Sequence, residues 1–149
     1  MINKLIRISA RYGTVGGILA FVLLIILFYL GRHPLVISPF LDFRVLLFGI
    51  FIFFTLKEFR DYEQEGVLLF AQAMLGGIAV VLIMTTITSI LLHVFGLFEK
   101  NFVQTYIEQI TAYLKSFSNE DIEKIGKENY ERNLSSLPTT NMPQLTQIY

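Results

Sequence analysis

A chain of 149 residues that is 54% hydrophobic, with 14 Phe and 7 Tyr laid out in long apolar runs, falls in the membrane class by composition. Its 12 Lys and Arg balance 12 Asp and Glu without any dense basic cluster, which argues against nucleic acid as a partner, because each neutralised phosphate needs a cation. The absence of Cys removes disulfides, thiol catalysis, Cys-ligated metals, lipoprotein processing and palmitoylation.

Met1 to Tyr12 carries Lys4, Arg7 and Arg11 and no acid, ahead of the apolar run Gly13 to Leu30. The run is too long for a signal peptide, and Gly31-Arg32-His33-Pro34 is not a small-x-small cleavage site. The reading is an uncleaved first transmembrane helix over residues 10–30, bracketed by Arg11 and Arg32. A second span is predicted over 39–57, with Ser38 as its N-cap and Pro39 at the first helical position. A start at Leu35 would bury Asp42 and Arg44, each costing about 2.5–3.5 kcal/mol at the bilayer centre. Lys57 to Glu65 then reads as a short charged connector ended by Gly66. The uncharged run from Gly66 to Phe98 would stretch about 50 Å as one helix, more than one untilted crossing needs, so the third span is placed at 68–94. Gly76-Gly77 can bend that helix or admit a close neighbour.

Beyond Phe98 the character changes. Phe102, Val103, Tyr106, Ile107, Ile110, Tyr113, Leu114 and Phe117 form one apolar stripe of an amphipathic helix, suited to the lipid interface, to the chain's own bundle or to a partner. Ser118 and Asp121 stand at capping-box spacing before a more polar helix ending near Leu134, and Ser135 to Pro143 reads as a loop. The fold class is therefore all-α and integral to the membrane: a transmembrane helical domain over 1–98 with three spans, then an extramembrane amphipathic helical tail over 99–149. Lys and Arg are denser before the first span and in the connector than on the opposite side, which predicts a cytoplasmic N-terminus and a periplasmic tail.

No residue is assigned a catalytic or metal role, and no cofactor is expected. Gly13, Gly16, Gly17 and Ala20, with Ala73, Gly76 and Gly77, are small residues that let helices approach in lipid, either within the chain or across an interface. Thr85, Thr86, Thr88 and Ser89 make a polar intramembrane patch, read as helix-bonding hydroxyls or as an ion path. Glu58, Arg60, Asp61 and Gln72 suggest a polar network around the connector. Its carboxylates are the residue type for acid–base work, yet a charged connector is ordinarily solvated. His33 and His93 stand apart without metal-ligand spacing. No span carries the deep charge typical of coupled transport.

Lys57-Glu58-Phe59-Arg60-Asp61, followed by Gly66, Phe70-Ala71-Gln72-Ala73 and Gly76-Gly77, with Tyr12-Gly13 early in the first helix, resembles a bacterial family of small four-helix membrane proteins whose domain has no assigned function. The resemblance covers most of the chain. It implies two central helices, then a soluble segment and a fourth membrane helix. The sequence reaches Tyr149 without that last helix, so either this member lacks it or the chain is a fragment. It also implies a membrane-enzyme partner, since some members are encoded beside polyprenyl-phosphate-type glycosyltransferases.

The function expected first is a non-catalytic accessory or scaffolding subunit of a bacterial inner-membrane complex, in contact with lipid and binding another membrane protein or itself. A homo-oligomeric channel or small transporter using the Thr/Ser patch is the second reading. An enzyme using the connector carboxylates is the third.

Overall fold

The computed structural model describes residues 2–36, 43–99 and 101–148. Among them every regular element is helical: α1 Ile2–Tyr29, α2 Phe43–Glu63, α3 Phe70–Phe98, α4 Asn101–Lys115, α5 Asn119–Ile125, α6 Lys127–Ser136, a 3-10 turn Leu137–Thr139, and α7 Met142–Ile148. The described residues group into two compact units, one within Met1–Ile26 and Ser38–Leu92, the other within Leu27–Ile37 and His93–Tyr149.

The first unit is built from one stripe on each of three helices. On α1 the buried residues are Leu5, Ser9, Gly13, Gly16, Gly17, Ala20 and Leu24, a three- and four-residue repeat that keeps them on one face. On α3 they are Gly76, Val80, Met84, Thr88 and Leu92, strictly every fourth residue. On α2 the repeat is Phe51, Thr55 and Phe59. Ala20, Phe51, Val80 and Met84 meet at the centre, with Tyr12, Leu47, Phe48 and Ile52 packed around them.

The opposite faces are also apolar: Val15, Ile18, Val22 and Ile26 on α1, Leu46 and Phe53 on α2, and Ile78, Leu82 and Ile90 on α3 are all exposed. α1 and α3 are long and apolar enough to cross a membrane, and only 28% and 22% of their apolar windows is buried, so most of each turns hydrocarbon outward.

Element boundaries differ from the sequence reading in three places. α1 starts at Ile2, because Leu5 and Ser9 continue its buried stripe into the basic segment. Lys57–Glu65 is not a connector: α2 runs on to Glu63, since Phe59 extends the stripe and is fully buried. The reversal is confined to the residues after Glu63, where Glu65 and Gly66 both take positive φ, 49° and 88°, and the Gly66 N–H closes on the Arg60 carbonyl. α3 begins at Phe70 and passes through Gly76-Gly77 as one helix. The N-cap expected at Ser38, with Pro39 and Asp42, lies outside the described residues.

The second unit departs further. The polar helix expected after Ser118 is two helices, parted at Gly126 with φ 89°. The Ser118–Asp121 capping box forms, and the hydrogen bonds from Ser118 hold the Asp121 carboxyl below its usual range. Ser135–Pro143 is not a loop. The hydroxyls of Ser135, Ser136 and Thr139 each donate to the carbonyl three residues back, tightening the end of α6 into the 3-10 turn. Asn141 and Gln144 then cap each other's backbone N–H and start α7, so the tail ends in helix.

Candidate functional site

The inner seam of the first unit uses up most of the small residues. A Cβ added to Gly13 would lie 2.9 Å from Ile83, one on Gly17 2.9 Å from the Met84 carbonyl, and one on Gly16 2.9 Å from Phe51. Gly76 is closed in the same way by Leu5 and Leu56. Gly13, Gly16, Gly17, Ala20 and Gly76 are therefore contact points of the chain with itself, where the missing side chain lets backbones approach.

One residue of the hydroxyl patch serves the same seam. Thr88 donates across it to the Gly17 carbonyl at 3.0 Å and back to Met84 at 2.8 Å. Thr85 and Thr86 bond the carbonyls of Val81 and Leu82 in their own helix, and Ser89 is half-buried. Ser9, which the sequence did not single out, makes a longer bond to the Gly76 carbonyl at 3.4 Å.

The polar residues of α2 find partners on α1. Glu58 accepts from Arg11 and, at 2.8 Å, from the Tyr12 hydroxyl; Glu63 pairs with Lys4. Arg60 pairs with its neighbour Asp61, and Gln72 bonds Gln64. Arg11 and Tyr12 belong to the arrangement but were missed, because their link to Glu58 depends on an antiparallel α1–α2 pairing that no local pattern records. Among the described residues no cluster of three or more His, Asp or Glu could hold a metal ion.

One apolar surface of this unit stays open. Ala73, Gly77 and Val81 on α3, with Ile52 on α2, line a groove of about 460 Å³, edged by Met74 and Ile78. A Cβ on Gly77 would meet only Ile52, at an ordinary 3.7 Å. Ala73 and Gly77 thus repeat the small-residue spacing of Gly13 and Gly17, but on an unfilled face.

In the second unit His33 is the most enclosed polar residue. Phe28, Phe102 and Tyr106 surround its ring, the closest being Phe102 at 4.4 Å between centroids. Nδ1 accepts from the Leu35 N–H, which makes the ring neutral with its proton on Nε2. Nε2 has no partner among the described residues. Gln109 fixes the turn from both sides, accepting from the His33 N–H at 2.7 Å and donating to the Gly31 carbonyl at 3.0 Å. Burial pushes the His33 pKa down to about 4, against a weaker opposite pull from the Phe102 backbone. His93 bonds the Thr146 hydroxyl at 3.0 Å. Between α4 and the α6–α7 segment lies a half-open cavity of about 390 Å³, reached by Tyr106.

Residues 11–148 match the family described as "Protein of unknown function (DUF4199)". No curated protein and no solved structure matches the chain. With nearly its whole length covered, the chain belongs to that family.

Proposed function

We propose that this member of the family is a non-catalytic, multi-pass subunit of a bacterial cytoplasmic-membrane complex that receives a transmembrane helix of another membrane protein in the groove at Ala73 and Gly77. The observation that carries the reading is the division of the small residues. Those on the α1 face and Gly76 are already filled by the chain, whereas Ala73 and Gly77 line an apolar groove that no described residue fills. Lipid tails are as apolar as leucine, so helix pairing in a bilayer rests on close packing, which small residues allow, rather than on burying apolar surface.

In this reading α2 also crosses the membrane, as the second of three spans. Its charge-free core, Val45 to Leu56, covers about 18 Å, and Arg44 and Lys57 at its two ends reach the interfaces by snorkelling. Lys4, Arg7, Arg11, Lys57 and Arg60 then lie on the cytoplasmic side. The pairs Lys4–Glu63 and Arg11–Glu58 support that placement, since they join the start of α1 to the end of α2.

The test is purification of the tagged full-length chain in mild detergent, with mass spectrometry of every protein retained. A stoichiometric membrane protein that is lost in the Ala73→Leu and Gly77→Val variants supports the proposal. A homo-oligomer without a second protein, or a companion indifferent to both substitutions, refutes it.

A further inference from the structure

We infer that the cavity between α4 and the α6–α7 segment is a binding site for an uncharged saccharide. This goes beyond the helix-receiving role and rests on a different part of the chain. The volume, about 390 Å³, falls in the ligand-sized range. One wall is aliphatic, made by Ile110 and Leu114 of the amphipathic α4 stripe. Leu137 adds a third aliphatic side chain, and the remaining lining is polar and neutral, with Tyr106, Asn133, Thr140 and Gln144 among its residues.

The chemistry of that lining narrows the ligand. Among the described residues no Asp, Glu, Lys, Arg or His borders the cavity, so none of them would balance a phosphate, a carboxylate or an ammonium, and a metal ion would find only neutral oxygens on them. A hydrocarbon chain would strip water from the amides and hydroxyls without replacing their hydrogen bonds. A sugar ring satisfies both halves: its hydroxyls exchange bonds with amides and hydroxyls, and its C–H face packs on aliphatic side chains.

The polar groups also have capacity to spare. Gln144 commits its side-chain oxygen to the Asn141 N–H, which leaves its NH2 group as a double donor. Ser136 donates to the Asn133 backbone carbonyl rather than to the Asn133 side chain, whose amide offers both a donor and an acceptor. Among the described residues no hydrogen bond engages the Tyr106 or Thr140 hydroxyl. Burial raises the Tyr106 pKa, so its phenol remains a donor through the physiological range.

The experiment uses the full-length chain in phosphatidylcholine nanodiscs, since common detergents carry sugar headgroups of their own. Saturation-transfer difference NMR is recorded with maltose, N,N′-diacetylchitobiose, glucose 6-phosphate and adenosine. The expected result is saturable transfer to at least one neutral disaccharide, weakened about tenfold in Asn133→Leu and in Gln144→Leu and unchanged in Arg132→Gln. Asn133 is exposed, so its variant keeps the fold, and circular dichroism verifies this. No transfer to either disaccharide, transfer indifferent to both cavity substitutions, or a preference for the phosphate or the nucleoside overturns the inference.

Discussion

Gly17 and Gly77 occupy equivalent small-residue patterns, yet an added methyl group meets different surroundings at each. At Gly17 it would press on the Met84 backbone at 2.9 Å, which cannot rotate away; at Gly77 it would touch Ile52 at 3.7 Å. Gly17→Ala is expected to destabilise the first unit by about 1–3 kcal/mol, as overpacking does, and Gly77→Ala to stay within about 0.5 kcal/mol of the parent. Thermal unfolding of both variants in the same detergent measures the difference. His33 makes a second prediction at this scale. The folded chain holds it neutral down to a pKa of about 4, whereas an unfolded chain takes the proton near pH 6.5. Its contribution is therefore complete above pH 6.5 and is lost as pH falls toward 4, by up to about 3 kcal/mol. Urea unfolding across that range should show the loss in the parent chain and a flatter profile in His33→Leu.

At the scale of elements, the hydroxyls late in α3 separate into one that joins helices and two that do not. Thr88→Val removes a bond between α1 and α3 and is expected to cost about 1 kcal/mol, while Thr85→Val and Thr86→Val, whose hydroxyls bond only their own helix, should change little. Comparing their midpoints of unfolding checks this. The middle of the α1 stripe was legible, because Gly13, Gly16, Gly17 and Ala20 repeat at three- and four-residue spacing in a background of Leu, Ile and Val, whereas on α3 the small-residue pattern marked Gly76 but not Val80, Met84 or Leu92. The length of α2 was not legible. Five charged residues from Lys57 to Glu63 outweighed the Phe51, Thr55, Phe59 repeat, and two of them, Glu58 and Glu63, are answered by Arg11 and Lys4 in a helix far away in sequence. In the tail, Ser118 and Asp121 announced a helix start by local chemistry. The structure over 135–143 rests on hydroxyls bonding backwards, which turn-rich composition conceals. The cavity beside Tyr106 could not be read at all, because α4, α6 and α7 meet there only after folding.

At the scale of the whole molecule, the apolar surfaces of the first unit divide into a filled inner seam and an outer groove, for which a partner helix is proposed. Exposed hydrocarbon alone does not make that distinction, since Ile18 on α1 is 47% exposed and Ile78 beside the groove 51%. Lipid contact is proposed for the first and a packed partner helix for the second. A photoreactive amino acid placed separately at Met74, Ile78 and Ile18 of the full-length chain, irradiated in its native membrane, tests the division directly. The account predicts that positions 74 and 78 cross-link to one and the same membrane protein while position 18 yields lipid adducts alone. Identical products at all three positions, or only adducts between copies of this chain, would contradict it.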